Sequence, residues 1–344
     1  MSDRDLSAPS PGGDPGPVLA LDIGGTKLAV AVVTAGGAAH GLVVEPTRRE
    51  DGWQAVTRRL FDMGRRAVER AGLGPVRAVG IACGGPLHAP SGLLLCPPHL
   101  PGWLDVPIGP LAADAFGVPF ALENDATVGA VAEYRFGAGR GTTTMLYLTV
   151  STGVGGGAVV EGALYRGAAG NGGEFGHLTV HRGGRLCSCG RRGCVEAYAS
   201  GTSIAQRARE ALAQGAPSTL AALPGLTAAD VAAAAAAGDP LAVSVWAETV
   251  DLLGAAVVDL VNVFEPDMVV LGGGVTRSGA MLLDPVRDLV AREAMSPAAR
   301  AARVVGAELG DLVCVVGAGV IGHDLLTGAG VAAETGRKLR TADV

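Results

Sequence analysis

Residues 171–196 read NGGEFGHLTVHRGGRLCSCGRRGCVE and gather His177, Cys187, Cys189 and Cys194 within 18 residues. Three thiols and one imidazole are the usual four ligands of a closed tetrahedral zinc site. Gly190 and Gly193 stand where a tight metal-binding knuckle needs glycine. Glu174 and Glu196 flank the cluster, within reach of whatever the metal holds in place. The C-x-C spacing is closer than the common C-x₂₋₄-C, so a chance cluster of buried thiols stands as the alternative. Cys83, Cys96 and Cys314 lie in apolar or proline-rich settings and read as inert buried residues.

Asp22-Ile23-Gly24-Gly25-Thr26-Lys27 follows an apolar run. Its glycines let backbone N–H groups approach a phosphate, Thr26 can donate to it, and Lys27 can offset its charge. Asp22 could reach a magnesium ion directly or through water. Ser151-Thr152-Gly153 repeats this chemistry, and two such turns could clamp a polyphosphate. An ordinary hairpin turn is the competing reading of each. Gly317-Ala318-Gly319-Val320-Ile321-Gly322 matches G-x-G-x-x-G, but too little chain follows it to complete a dinucleotide-binding unit. Its glycines read instead as close strand–helix packing. There is no Walker A loop. Glu123-Asn124-Asp125 opens a helical pattern, where an ionised Asp125 suits a general base and plain N-capping is the more ordinary role of an Asn-Asp pair.

The elements that must position these groups alternate short apolar runs with amphipathic stretches, which predicts an α/β fold. Val18–Asp22 and Ala29–Val33 read as strands around the Gly24–Gly25 turn, and 143–150 with 158–161 repeat that opening. Further strands are expected at 76–82, 268–271 and 312–316, the second running into Gly272-Gly273-Gly274. Helices are expected at 53–71, 123–136, 228–237 and 245–264, with loops at 97–101 and 214–227. Residues 1–17 read as a disordered tail without the apolar core of a signal peptide. With 27 basic and 33 acidic residues the net charge is −6, and no basic run suggests a nucleic-acid surface. Mean hydropathy is +0.36, yet no uninterrupted apolar run approaches the roughly 18–20 residues of a membrane span. Clustered thiols without a secretion signal point to a reducing cytoplasm and metal ligation.

In this order the motifs resemble the ROK family of sugar kinases and regulators. The resemblance rests on LALDIGGTK (19–27), GIACGGP (80–86), PHLPGW (98–103), ENDA (123–126), STGVGGG (151–157), GNGGEFGH (170–177), CSCGRRGCVEAYASG (187–201) and VVLGGGV (269–275). It implies two actin-like, ribonuclease H-like α/β domains around a central cleft, of the hexokinase and heat-shock ATPase type. The expected division is 18–125, then 126–317 with a zinc-binding loop at 174–196. A C-terminal helix near 318–330 would return to the first domain. The implied activity is ATP-dependent phosphorylation of the 6-hydroxyl of glucose or a close analogue, with Asp125 as base. Asn124, Glu174, His177 and Glu196 would hold other sugar hydroxyls, with Gly85 and His99 beside the sugar. Gly24, Gly25, Thr26, Lys27, Thr152 and Gly153 would hold ATP phosphates with Mg²⁺ near Asp22. Gly272–Gly274 would lie against the nucleoside, and zinc would be structural.

The chain departs from the family pattern at Cys83-Gly84-Gly85-Pro86, where Pro-Gly-Pro is common, and at Pro98-His99-Leu100, where Asn is usual. His99 raises an amino sugar as the alternative substrate (kanosamine, N-acetylglucosamine or N-acetylmannosamine), with fructose also open. It could equally pack on Trp103. Expected partners are the sugar and ATP, in a cytoplasmic homodimer or homotetramer that engages neither nucleic acid nor membrane. A ROK-type regulator is disfavoured because the residues before the first strand are too few and too helix-poor for a helix-turn-helix.

Overall fold

The computed structural model describes residues 14–328, so most of the expected N-terminal tail lies outside the described residues. The chain divides into two compact units, one formed by residues up to Glu123 together with those from Ala318, the other by Asn124–Gly317.

The first unit is built on a sheet of β1 (Val18–Ile23), β2 (Lys27–Val33), β3 (Ala39–Pro46), β4 (Ala78–Cys83) and β7 (Phe120–Asn124). Their order is β3-β2-β1-β4-β7, and a separate two-stranded hairpin pairs β5 (Leu87–His88) with β6 (Leu93–Leu94). β1 runs antiparallel to β2 and parallel to β4. Every residue of β1 and β4 is buried, the mark of strands covered on both faces. One cover is α1 (Trp53–Ala71), which turns Val56, Leu60, Met63 and Ala67 inward at helical spacing. α2 (Ile108–Phe116) adds an edge-on contact of Phe116 with Phe61, ring centroids 5.6 Å apart.

The second unit repeats the plan with β8 (Met145–Val150), β9 (Val154–Val160), β10 (Ala163–Leu164), β11 (Met268–Gly272) and β12 (Arg303–Gly306) in the order β10-β9-β8-β11-β12. β8 pairs antiparallel with β9 and parallel with β11. The helices are α3 (Asp125–Phe136), α4 (Glu196–Ala199), α5 (Gly201–Ala213), α6 (Ala228–Ala236), α7 (Pro240–Phe264), α8 (Ala280–Glu293) and α9 (Ala298–Ala301). α7 threads the core with Leu253, Val257 and Val261 fully buried.

Three expectations are corrected. The run at 312–316 is no strand: α10 spans Val313–Thr327, and the G-x-G-x-x-G glycines lie inside it. β-branched residues give that run a strand-like look, but its glycines serve helix packing. A Cβ on Gly319 would lie 2.5 Å from Val33, one on Gly322 2.4 Å from Val18, and one on Gly80 only 1.8 Å from the Ala318 carbonyl oxygen. Second, Glu123 closes β7 and the helix begins at Asp125. The expected surface connection at 214–227 is exposed over most of its length; it carries a 3₁₀ turn, Thr219–Ala222, and buries only Leu220 and Leu226. α7 and the 310–327 segment are long and apolar enough to cross a membrane by length and composition, although acidic residues interrupt both, so neither is an uninterrupted apolar run. α7, however, spends that apolar surface on the core of its own unit. Third, Cys96, expected to be buried, is exposed, whereas Cys83 is buried as expected.

Candidate active site

In the first unit, the turn between β1 and β2 closes through a Gly24 N–H bond to the Lys27 carbonyl at 3.0 Å. Thr26 and Lys27 are exposed, whereas Asp22 is buried at the end of β1. Thr47 holds the turn from behind: its hydroxyl donates to the Gly24 carbonyl at 2.6 Å and its N–H to the Thr26 carbonyl at 3.0 Å. Arg59 in turn donates to the Thr47 carbonyl and pairs with Asp51 at 2.9 Å. Sequence reasoning missed Thr47, and only its place after a two-strand hairpin could have flagged it. Gly84 and Gly85 come directly after β4, next to this turn. The His99 ring lies against Gly84 and Gly25: a Cβ on Gly84 would come within 2.4 Å of its Cε1 and one on Gly25 within 3.4 Å of its Cδ2.

In the second unit the equivalent turn, Ser151-Thr152-Gly153, closes by a Ser151 N–H bond to the Gly153 carbonyl at 2.8 Å. Gly201 N–H donates to the Ser151 carbonyl at 2.7 Å, which ties the turn to the start of α5. Gly272–Gly274 lie at the end of the parallel neighbour β11. Gly273 has φ 90°, and a Cβ there would meet the Val150 carbonyl oxygen at 2.5 Å. Both turns therefore sit at the carboxyl ends of adjacent parallel strands, where open α/β sheets bind ligands. Between them opens a cavity of about 680 Å³ whose lining includes Thr152, Thr202, Arg209, Gly274 and Arg277. Thr202, Arg209 and Arg277 were not singled out from sequence. A signal for them was present only in the pairing of the two glycine turns.

Asn124 is the N-cap of α3, with its Oδ1 accepting from Ala126 N–H at 2.9 Å and Thr127 N–H at 3.4 Å. Asp125 also accepts from Ala126 N–H, at 2.8 Å, so one of its oxygens is oriented by the backbone. The glycine run of β9 then positions the other acids. A Cβ on Gly155 or Gly157 would sit 2.8 Å from the methyls of Ala126 and Ala130 on α3. On the opposite face, a Cβ on Gly156 would strike Phe175 at 2.4 Å and the Gly173 carbonyl at 2.7 Å. The run thus lets the helix that starts at Asp125 and the loop that carries Glu174 approach β9 from both sides. Burial raises the Glu174 carboxyl above its usual range; His177 offsets part of this, and Asp125 and Glu196 add to it. Glu196 accepts from Val154 N–H at 3.0 Å with one oxygen and from the Ser188 hydroxyl at 2.8 Å with the other.

The ligand atoms of His177, Cys187, Cys189 and Cys194 all lie within 4.8 Å of one another. Cys189 Sγ is 3.7 Å from Cys194 Sγ, and Cys187 Sγ is 3.7 Å from His177 Nδ1. A tetrahedron with metal–sulfur bonds of about 2.3 Å has edges of about 3.8 Å, so the donor set fits zinc. Nε2 of His177 faces the other way, 3.8 Å from Glu174. Gly190 and Gly193 adopt φ of 83° and 85°, and a Cβ on Gly193 would meet the His181 carbonyl at 1.8 Å. The knuckle is braced by Arg191, which donates to the His177 carbonyl and to Thr179, and by a two-pronged Arg185–Glu210 pair.

Two duplicated sheets with a glycine turn at each carboxyl edge, and a Cys₃His knuckle in the second unit, define an actin-like sugar-kinase-type protein. The ROK family profile matches residues 18–325, and the chain belongs to that family. It is 34% identical over 308 residues to the glucokinase of Thermotoga maritima, covering 88% of this chain and 96% of that protein. It is 35% identical over 278 residues to the N-acetylmannosamine kinase of Citrobacter koseri, covering 80% and 89% respectively. Its structure superposes on a ROK family glucokinase from Streptomyces griseus in complex with glucose and AMPPNP. The TM-score is 0.75 at 34% identity, over 90% of this chain and 100% of that one.

Proposed function

We propose that this chain is an ATP-dependent hexose kinase that phosphorylates the 6-hydroxyl of glucose or a close analogue. The observation that carries the reading is the gathering of Asp125, Glu174, His177 and Glu196 around the glycine run of β9. Resemblance to the Thermotoga and Streptomyces glucokinases supports glucose as the acceptor. In this reading the sugar O6 attacks the terminal phosphorus, the bond to the ADP oxygen breaks, and the Asp125 carboxylate takes the O6 proton. Asn124, Glu174, His177 and Glu196 hold further hydroxyls, and Gly85 and His99 contribute to the sugar site. The 24–27 and 152–153 turns hold phosphates, and the cavity beside Gly274 takes the nucleoside. Asp22 suits Mg²⁺, which needs only one or two carboxylates besides the phosphates and would neutralise developing charge.

His177 through Nδ1, with Cys187, Cys189 and Cys194, would hold a structural Zn²⁺. That ligation fixes the ring so that Nε2 stays turned towards Glu174. A second reading, an amino-sugar kinase, is favoured by one observation: an imidazole, His99, lies beside the Gly24–Gly25 turn. The deciding experiment is a phosphorylation assay across glucose, mannose, fructose, N-acetylglucosamine, N-acetylmannosamine and kanosamine, with the product position read by NMR. Glucose 6-phosphate as the fastest product supports the first reading. An amino sugar preferred over glucose supports the second, and no product from any of them removes both.

A further inference from the structure

Gly25 lies just beyond β1 and Gly84 just beyond β4, two strands paired in parallel up to Ile23 and Cys83. Neither glycine has a positive φ, so the backbone itself does not demand glycine at either place. Space does. A Cβ on Gly84 would lie 2.4 Å from Cε1 of His99 and 3.1 and 3.2 Å from Nδ1 and Nε2, against the Cε1 corner of the ring. A Cβ on Gly25 would lie 3.0 Å from both the Cβ and the carbonyl oxygen of His99. The loop that carries the ring is anchored on either side: Leu100 and Trp103 are buried, and Leu100 N–H bonds the Pro97 carbonyl at 2.9 Å. Arg49 reaches the His99 carbonyl at 3.4 Å.

We propose that Gly84 and His99 form a single specificity element for the sugar acceptor. The missing side chain at 84 leaves the room that the Cε1 corner of the imidazole occupies, and the imidazole so placed selects among hexoses by a hydroxyl or amine that can pair with a ring nitrogen. A neutral imidazole offers one donor and one acceptor in a fixed plane, and a site built around such a group rejects substrates that leave it unpaired. The proposal rests on the hexose-kinase reading above. It adds that two positions apart in sequence act as one, with Gly84 working through His99 as a positioning residue.

The test is a double-mutant cycle: the parent, Gly84→Ala, His99→Asn and the double variant, each assayed for kcat/KM on the six sugars and for KM of ATP. Gly84→Ala should change the ratio between the two best acceptors by about tenfold or more and leave the KM of ATP in place. In the His99→Asn background the same change should leave that ratio unaltered. If Gly84→Ala fails to fold but the double variant folds, the ring is what forbids a side chain at 84, which supports the proposal. Additive effects on the ratio overturn it, as does an unchanged ratio in Gly84→Ala or failure of both Gly84 variants to fold. A parent that phosphorylates no hexose overturns the kinase reading itself, an outcome distinct from additivity.

Discussion

The turn after β1 and the turn after β8 occupy the same place in sheets of the same strand order, yet opposite chemistry covers them. Over the first lies the imidazole of His99, and over the second the carboxylate of Glu196, which would touch a Cβ on Gly153 at 2.7 Å. The covering groups come from different segments: His99 from the loop between β6 and α2, Glu196 from the stretch that leaves the second hairpin. In the first unit the chain passes from β3 through a short 3₁₀ turn at Arg49–Asp51 into α1. In the second unit the stretch between β10 and α5 holds Glu174, the Cys₃His knuckle and Glu196. The duplicated sheet supplies the places where a ligand can meet backbone N–H groups, and the inserted stretch supplies the acids.

The largest effect that tests this asymmetry is expected at Asp125. Asp125→Asn keeps the N-cap at Asn124 and the bond to Ala126 N–H is replaceable by the amide oxygen, so the fold should survive. Turnover should fall by about 10²–10⁴-fold, the usual contribution of a positioned base, while sugar binding by calorimetry persists. Near-parental kcat would mean that the second unit does not supply the base.

Next in size is the metal. Purified protein should carry about one zinc per chain, as a closed four-ligand site implies. Cys189→Ser should lose zinc on elemental analysis, open the 174–196 loop to proteolysis and cut activity sharply. Full activity in zinc-free protein would show that the knuckle does not position Glu174 and Glu196.

Legibility in the sequence divides along the same line. The Cys₃His cluster, the two glycine turns and the Asn124-Asp125 pair are readable because they depend on residue type and short spacing. The role of the β9 glycines is not, because it comes from the groups packed on both faces of a strand. The start of α10 reads as a strand because Val313, Val315 and Val316 look strand-like in isolation. Its helical state is tied to Gly319 and Gly322 meeting Val33 and Val18, contacts almost 300 residues away in sequence. Glu123 reads as helical because capping residues mark a boundary only to within a residue or two.

Glu196 offers a third and smaller test, since it joins the second turn to the knuckle. Glu196→Gln keeps the shape but removes the charge that accepts from Val154 N–H and Ser188. Partners of metal ligands commonly contribute about 10–100-fold to activity or metal affinity, and a loss of that order in kcat/KM for sugar is expected. A variant that loses zinc but not sugar affinity would reassign Glu196 to the knuckle alone.

The smallest expected effect belongs to Thr47, which does for the first turn what Glu196 does for the second. Its side chain is fully buried, and its hydroxyl bonds the Gly24 carbonyl at 2.6 Å. Thr47→Val keeps the volume and the backbone bond to Thr26 but leaves the Gly24 carbonyl without this donor. Removing one partner of a buried hydrogen bond costs about 1–3 kcal/mol, which urea unfolding should register. If the first turn holds phosphate, part of that cost should appear as weaker nucleotide binding, roughly fivefold for about 1 kcal/mol. The KM for sugar should change less, because both hydrogen bonds that Thr47 donates go to the 24–26 turn. A variant with raised KM for sugar and unchanged KM for ATP would reverse the assignment: the first turn would then serve the acceptor, and its likeness to the turn after β8 would be one of fold alone.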